Sequence, residues 1–422
     1  MFNKSIKKIF LNFSLRTFGN ILSKTLGFIS LPFISRAIGP EGYGSYSFIV
    51  TLITYTALFV EWGYIPYGIR ETAKQSDSSS VVNTIITTKF TFGIISILLG
   101  LFVFSFIYWN NWPFLLNIFI GFGFTISQII NIDYYYFGKK QMLIPTAARL
   151  TGQIIFVIGV ALFIRTPEDF TLLMVLYVSY QFIGSLIGLL LYIYKQTIKI
   201  KFSLKTAFST FKTTFNLGLS SRIEQLITTY PILIIPLFFS SNYELGIYNS
   251  AFKFFTIIII VYQTAMLALA PYLVSLKSKA IDIQRQTFLK ILRILLSIGI
   301  ASSIVIFLTD KYIVKLLFGS GFTHAIPLID LISYFLLPFW PITMILGNIL
   351  IYYNYDKYYL RATFANAFLI LLSTPILVYF FGVSGAIYAI GIGNFAVIII
   401  SFYYIKKLIP NLLLPLHQNI KT

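Results

Sequence analysis

The chain has 422 residues, 57% of them hydrophobic and only 11% charged, with a mean hydropathy of +0.84. Soluble domains carry about 25% charged residues, so a water-soluble fold is excluded; zero cysteines exclude disulfides, thiolate metal sites and cysteine nucleophiles. The formal charge of +19 raises nucleic acid as a partner, but its distribution along the chain points to membrane topology instead.

Apolar runs long enough to cross ~30 Å of hydrocarbon predict an all-α polytopic membrane protein with twelve transmembrane helices. They lie near 11–36, 43–68, 82–107, 113–137, 143–164, 171–194, 209–239, 244–275, 286–308, 325–353, 358–380 and 383–405. At about 22 residues per span, the remainder divides into loops too small for a soluble catalytic domain. The short basic stretch before span one has no small-residue cleavage site after it, so that span is expected to be retained. Of the 32 Lys and Arg, eighteen fall in one alternating set of tails and loops. Only Arg36, Arg165, Lys311 and Lys315 fall in or beside the other set. This positive-inside bias predicts a plasma-membrane protein with both termini cytoplasmic and no nucleic-acid partner.

Ionisable and kinking residues inside the spans carry the functional signal. In span one, Arg16, Asn20 and Lys24 share a helical face, and Pro32 follows near its end. Glu61 lies in span two, Lys89 in span three, Asp133 near the end of span four and Arg149 in span five. The cluster Tyr134-Tyr135-Tyr136-Phe137 reads as an interfacial aromatic belt. After span six, Lys195–Lys205 carries four lysines and resembles a linker. The expected domains are therefore 1–194, a linker at 195–208, and 209–422. Span seven holds the stripe Asn216, Ser220, Glu224 and Thr228 beside Arg222, with Pro231 and Pro236 beyond it; span eight repeats the pattern with Asn249, Lys253 and Thr256. Asp330 lies in span ten.

Each charge at a bilayer centre costs ~2.5–3.5 kcal/mol on insertion scales, so these groups must meet water, one another or a ligand. Five cations (Lys24, Lys89, Arg149, Arg222, Lys253) face four acids (Glu61, Asp133, Glu224, Asp330), and pairing is open for each. The surplus predicts a basic cavity suited to an anionic substrate. Lys24 and Arg222 are the leading binding candidates; the acids are candidates for pairing or ion coupling, and Pro32, Pro231 and Pro236 for gating. His324 and His417 lie far apart, and no catalytic motif stands out, so neither a metal, a cofactor nor an enzymatic activity is expected.

Two sets of identities suggest a duplicated six-helix unit. Asn131, Tyr135, Tyr136 and Lys140 recur as Asn348, Tyr352, Tyr353 and Lys357 at an offset of 217. Gly44 and Tyr46 recur as Gly246 and Tyr248 at an offset of 202. With six spans per half, the repeats would be parallel.

Several stretches are similar to a known family. Ile38-Gly39-Pro40-Glu41-Gly42-Tyr43-Gly44, then Phe59-Val60-Glu61-Trp62-Gly63-Tyr64 and Arg70-Glu71-Thr72-Ala73-Lys74, resemble the opening of Wzx-type O-antigen flippases. Phe137-Gly138-Lys139-Lys140 resembles the family's FQGxEK region without its Gln and Glu, and Phe318–Ala325 resembles its start of span ten. The resemblance implies the polysaccharide-transporter branch of the multidrug/oligosaccharidyl-lipid/polysaccharide (MOP) exporter superfamily, with a MATE-like fold of two six-helix lobes around a central cavity. It further implies a flippase of the bacterial inner membrane that moves undecaprenyl-pyrophosphate-linked O-antigen repeat units by alternating access. Implied partners are that lipid-linked oligosaccharide, membrane lipids, the O-antigen polymerase and a chain-length regulator. The alternatives are a drug or cation antiporter of the same superfamily, another lipid-linked sugar flippase, or an O-antigen polymerase. The cationic span one, with no acid, counts against an antiporter, and the short outer loops count against a polymerase.

Overall fold

The structure, a computed structural model, describes residues 22–413 other than 24, 76, 195, 277 and 278, with several side chains between 220 and 275 also outside the description. Arg16, Asn20, Lys24 and the Glu224 side chain therefore lie outside the described residues. Everything described is helix or connection, with no strand. Among the described residues, eight helices are long and apolar enough to cross a membrane, and a bent pair makes a ninth. Their outward faces suit hydrocarbon rather than water: Phe102 and Phe106, for example, are 75% and 82% exposed.

The first unit opens with α1 (Leu31–Thr56), in which two helices meet without a loop at Gly39. Gly39 takes φ 66°, and Pro40 restarts the helix behind it. A residue before proline avoids helical backbone and only glycine enters the left-handed region cheaply, so Gly-Pro places the break here. Span two is not continuous as expected. It stops at Thr56, turns through residues 57–63, and resumes as α2 (Tyr64–Lys74) after Gly63 at φ 63°. Then come α3 (Ser79–Ile107), α4 (Trp112–Ile130), α5 (Asp133–Gly138), α6 (Leu143–Phe163) and α7 (Phe170–Ile193).

Span four also breaks, at residues 131–132. The Asn131 side chain accepts the Asp133 backbone N–H at 3.0 Å, an Asx turn that ends α4 and starts α5. The short α5 wedges against α2, where Gly68 leaves room for the Tyr134 ring. The aromatic-belt reading is corrected by this packing. Tyr134, Tyr136 and Phe137 are buried, and the Tyr136 hydroxyl donates to the Gly188 carbonyl at 2.7 Å. Tyr134 and Tyr136 form one core cluster with Val82, Ile85, Ile86 and Tyr192.

The expected linker is not a loose tether. Its backbone N–H groups at Lys199, Lys201 and Ser203 donate to Asn83, Thr87 and Thr91 on α3, at 2.9, 3.5 and 3.1 Å. Every second residue of an extended chain advances ~6.6 Å and every fourth residue of a helix ~6.0 Å, so the two periods match. The strap leads into α8 (Leu204–Ile234). Its first half stays with the first unit: Trp62 packs on Phe211 and Phe215, at ring separations of 5.0 and 6.0 Å. Compact units accordingly divide between Arg222 and Ile223, inside α8, rather than at the strap.

The second unit continues with α9 (Tyr243–Leu276), α10 (Ile281–Leu317), α11 (Ile326–Phe335), α12 (Trp340–Tyr352), α13 (Asp356–Phe381) and α14 (Val383–Leu408). Span ten, expected to be continuous, is the bent pair α11–α12, with 48° between its halves. At this break the N–H groups of Leu336 and Leu337 both turn back to Ile332 O, and Pro341 sits in the first turn of α12.

The expected repeat meets a different register in the structure. Lys140 and Asn354 are the two non-glycine residues with positive φ among the described residues, 59° and 66°. Each closes its helix with the same pair of bonds: Lys140 N to Phe137 O with Gln141 N to Tyr136 O, and Asn354 N to Ile351 O with Tyr355 N to Leu350 O. Equivalent atoms are 214 residues apart, not 217. The four identities at 217 are common residue types that coincide three positions out of register. At the other corner Gly44 and Gly246 do fall early in α1's second segment and in α9.

Candidate functional site

The charged residues expected within spans separate into two settings. In the first unit they gather at the helix breaks. Lys89 is fully buried on α3, and its ammonium donates to the carbonyls of Gln128 (3.1 Å) and Asn131 (3.0 Å). These carbonyls end α4, where intrahelical partners run out and a cation suits the helix dipole. The Tyr134 ring lies 5.7 Å from the same ammonium. Glu61 and Asp133 bring the compensating negative charge.

Both acids carry a second cation. Arg149 on α6 bonds the Asp133 carboxylate at 2.7 Å. Arg222 on α8 donates to the Glu61 backbone carbonyl at 2.9 Å and stands 3.8 Å from its carboxylate. One network thus ties the break of span two, the break of span four and the first half of α8 to Lys89. Asn131 and Tyr134 belong to it and were not expected there. The signal for Asn131 was Asn-x-Asp inside an apolar run, a helix-stop and helix-start pattern.

The second unit differs. Lys253, near the middle of the apolar window of α9, is half-buried, and no ion pair or hydrogen bond holds it among the described residues. Asp330 on α11 meets the carboxyl of Asp310 on α10, a residue only 4% exposed. Asp310 was not expected inside a span, because α10 runs on to Leu317 instead of stopping near 308. Of the prolines, Pro32 stands in the first turn of α1, Pro231 inside α8, and Pro236 in the 3-10 turn Ile235–Leu237 that follows it. Each therefore sits at or beside an irregularity of its helix.

A family model described as "Polysaccharide biosynthesis protein" matches residues 9–277. The chain belongs to this polysaccharide biosynthesis family. That stretch includes the breaks of spans two and four, the strap and Lys253, so the family signal runs through the charged network. The resemblance read from the opening motifs is met by a protein of Escherichia coli (strain K12), provisionally described as an O-antigen transporter. It is 23% identical over 362 residues, covering 82% of this chain and 84% of that protein. Among solved structures, an inward-facing multidrug resistance MATE family transporter of the MOP superfamily is similar at a TM-score of 0.71 and 14% identity. That likeness covers 92% of this chain and 95% of the other. The lipid II flippase MurJ, in an inward closed conformation, matches equally well, at 0.71 and 14%, over 94% and 89%. The fold of this member of the family is thus that of the MOP superfamily.

Proposed function

We propose that this protein is a flippase for undecaprenyl-pyrophosphate-linked O-antigen repeat units in the bacterial inner membrane. The observation that carries the reading is the family match over residues 9–277. The E. coli relative supports the O-antigen branch, and the likeness to a lipid II flippase supports a substrate on a lipid pyrophosphate. The chain then crosses the membrane twelve times in two six-helix lobes (1–194 and 209–422), with both termini cytoplasmic. It is a transporter and not an enzyme.

Lys253 is the leading binding residue in this reading. A mid-span ammonium with no counter-ion among the described residues is costly in hydrocarbon and is relieved when a pyrophosphate arrives. Lys24, from span one, is proposed as a further binding residue. Lys89, Arg149 and Arg222 act instead through the shape of the first unit, because their charges are engaged there. Asp330 with Asp310 is the candidate for a coupling proton or ion, with Glu61, Asp133 and Glu224 behind it. Pro32, Pro231 and Pro236 let their helices bend during alternating access. The O-antigen polymerase and chain-length regulator are the proposed partners downstream.

Deleting the gene in its host should abolish surface O-antigen while the lipid-linked unit accumulates on the cytoplasmic leaflet. Complementation with Lys253→Ala should fail at normal protein levels, and Lys253→Arg should restore part of the export. Undiminished O-antigen on a deletion strain lacking any redundant exporter would overturn the reading. Resistance to a cationic drug lost on deletion, with O-antigen intact, would favour the antiporter.

A further inference from the structure

The helices α13 and α14 are the most extensively packed pair of the second unit, joined by the single residue Gly382. At the ends away from that turn, cations gather on both. Lys357 and Arg361 lie one turn apart on α13, and Lys406 and Lys407 close α14. Between them is a groove of about 420 Å³ lined by Arg361, Ile399, Ile400, Tyr403 and Tyr404.

Arg361 is exposed, yet it is held in place. Its Nη1 donates to the Tyr404 hydroxyl at 3.3 Å, and its guanidinium carbon lies 5.4 Å from the centre of the Tyr358 ring. The Tyr358 and Tyr404 rings are themselves 4.5 Å apart. No carboxylate pairs with Arg361 among the described residues; Asp356, the acid of the first turn, makes no ion pair with it. The remaining guanidinium donors are therefore available to a ligand in their fixed fork. Along α13 the same face continues as Phe364 and Phe368, 42% and 65% exposed, and Ile399 and Tyr403 form the facing wall at 66% and 57%. At membrane depth such apolar surface suits acyl chains.

We propose that this groove is a binding site for an anionic phospholipid of the leaflet that faces the lysine-rich loops. The phosphate sits on Arg361 with Lys357, Lys406 and Lys407 around it, and an acyl chain runs along Ile399 and Phe368. A positive-inside signal alone needs only free cations at the helix ends. Arg361 stands a turn deeper than Lys357, clamped by two tyrosines at the mouth of an apolar groove, and each added cation near an anionic headgroup strengthens its hold. A free anion would gain nothing from the apolar walls, and a zwitterionic lipid would leave the surplus of cations uncompensated. The site is independent of the transported substrate.

Native mass spectrometry of the purified full-length protein tests this, with phosphatidylglycerol or phosphatidylcholine added to the detergent. Phosphatidylglycerol should be retained about fivefold better than phosphatidylcholine. Arg361→Ala should remove that preference, Arg361→Lys should keep part of it, and Lys290→Ala on α10 should leave it intact. Ile399→Trp fills the groove while sparing every charge, and it should weaken retention as well. Thermal unfolding in lipid-free detergent checks that the variants are folded; should Arg361→Ala fail there, Ile399→Trp decides. Equal retention of the two lipids by the native chain, or an unchanged preference in folded Arg361→Ala or Ile399→Trp, would overturn the proposal. So would full competition by inorganic phosphate, which would mark an anion site without a lipid.

Discussion

Lys89 and Lys253 are the same residue type, each well inside an apolar span, and they live under opposite conditions. Lys89 is enclosed, with two carbonyls and an aromatic ring around its ammonium and two acids nearby. Lys253 is half-buried and has no such partners among the described residues. The breaks of the two units differ in the same way. Span four stops where a lysine can cap its carbonyls, whereas span ten turns through backbone bonds to Ile332 O and restarts on Pro341. The lesson is that an intramembrane cation is assigned by its acceptors. A buried lysine on helix-end carbonyls is architecture, and one without acceptors is available to a ligand.

The largest effect should come from testing that contrast directly. Lys89→Ala removes two charge-assisted hydrogen bonds and leaves their carbonyls buried, which should cost about 3 kcal/mol or more. Thermal unfolding in detergent and membrane abundance should both fall. Lys253→Ala removes a poorly solvated charge, and its unfolding temperature should stay level or rise. If both variants unfold alike, the distinction between the two lysines fails.

A smaller effect belongs to the seam between α8 and the turn of span two. A side chain at Gly218 would overlap the Trp62 indole, and one at Gly63 would overlap the Gly218 backbone. Gly218→Ala should therefore destabilise by about 1–3 kcal/mol, and Trp62→Phe in the same chain should recover part of it. Absence of recovery in the double variant would mean that the indole is not what Gly218 accommodates.

The smallest effect compares the matching corners. Lys140 and Asn354 both hold left-handed backbone. Lysine adopts it less readily than asparagine, so Lys140→Gly should stabilise by up to about 1 kcal/mol and Asn354→Gly by less. Equal gains, read from unfolding temperatures, would remove the residue-type argument for that difference.

Periodicity and hydropathy made most of the spans legible. Runs such as 82–107, 143–164 and 383–405 coincide closely with α3, α6 and α14, because a lipid-facing helix must be apolar almost throughout. Breaks were less legible, since Gly39-Pro40 announces itself whereas the turn at 57–63 and the stop at Asn131 lie in ordinary apolar sequence. The aromatic run after Asp133 misled for a related reason. Tyrosines near a span end have the composition of an interfacial belt, and only the folding of α5 against α2 puts them inside.

What the sequence determined by itself was the solvent of the protein and the motifs of its family. These follow from composition and local spacing, which need no knowledge of what packs where. Which cation is capped and which is paired was decided only by tertiary structure. Lys89 meets acceptors 39 and 42 residues away, Arg149 meets Asp133 across 16 and Arg222 meets Glu61 across 161. The energy of a buried charge depends on the groups within a few ångströms of it, and those come from elsewhere in the chain.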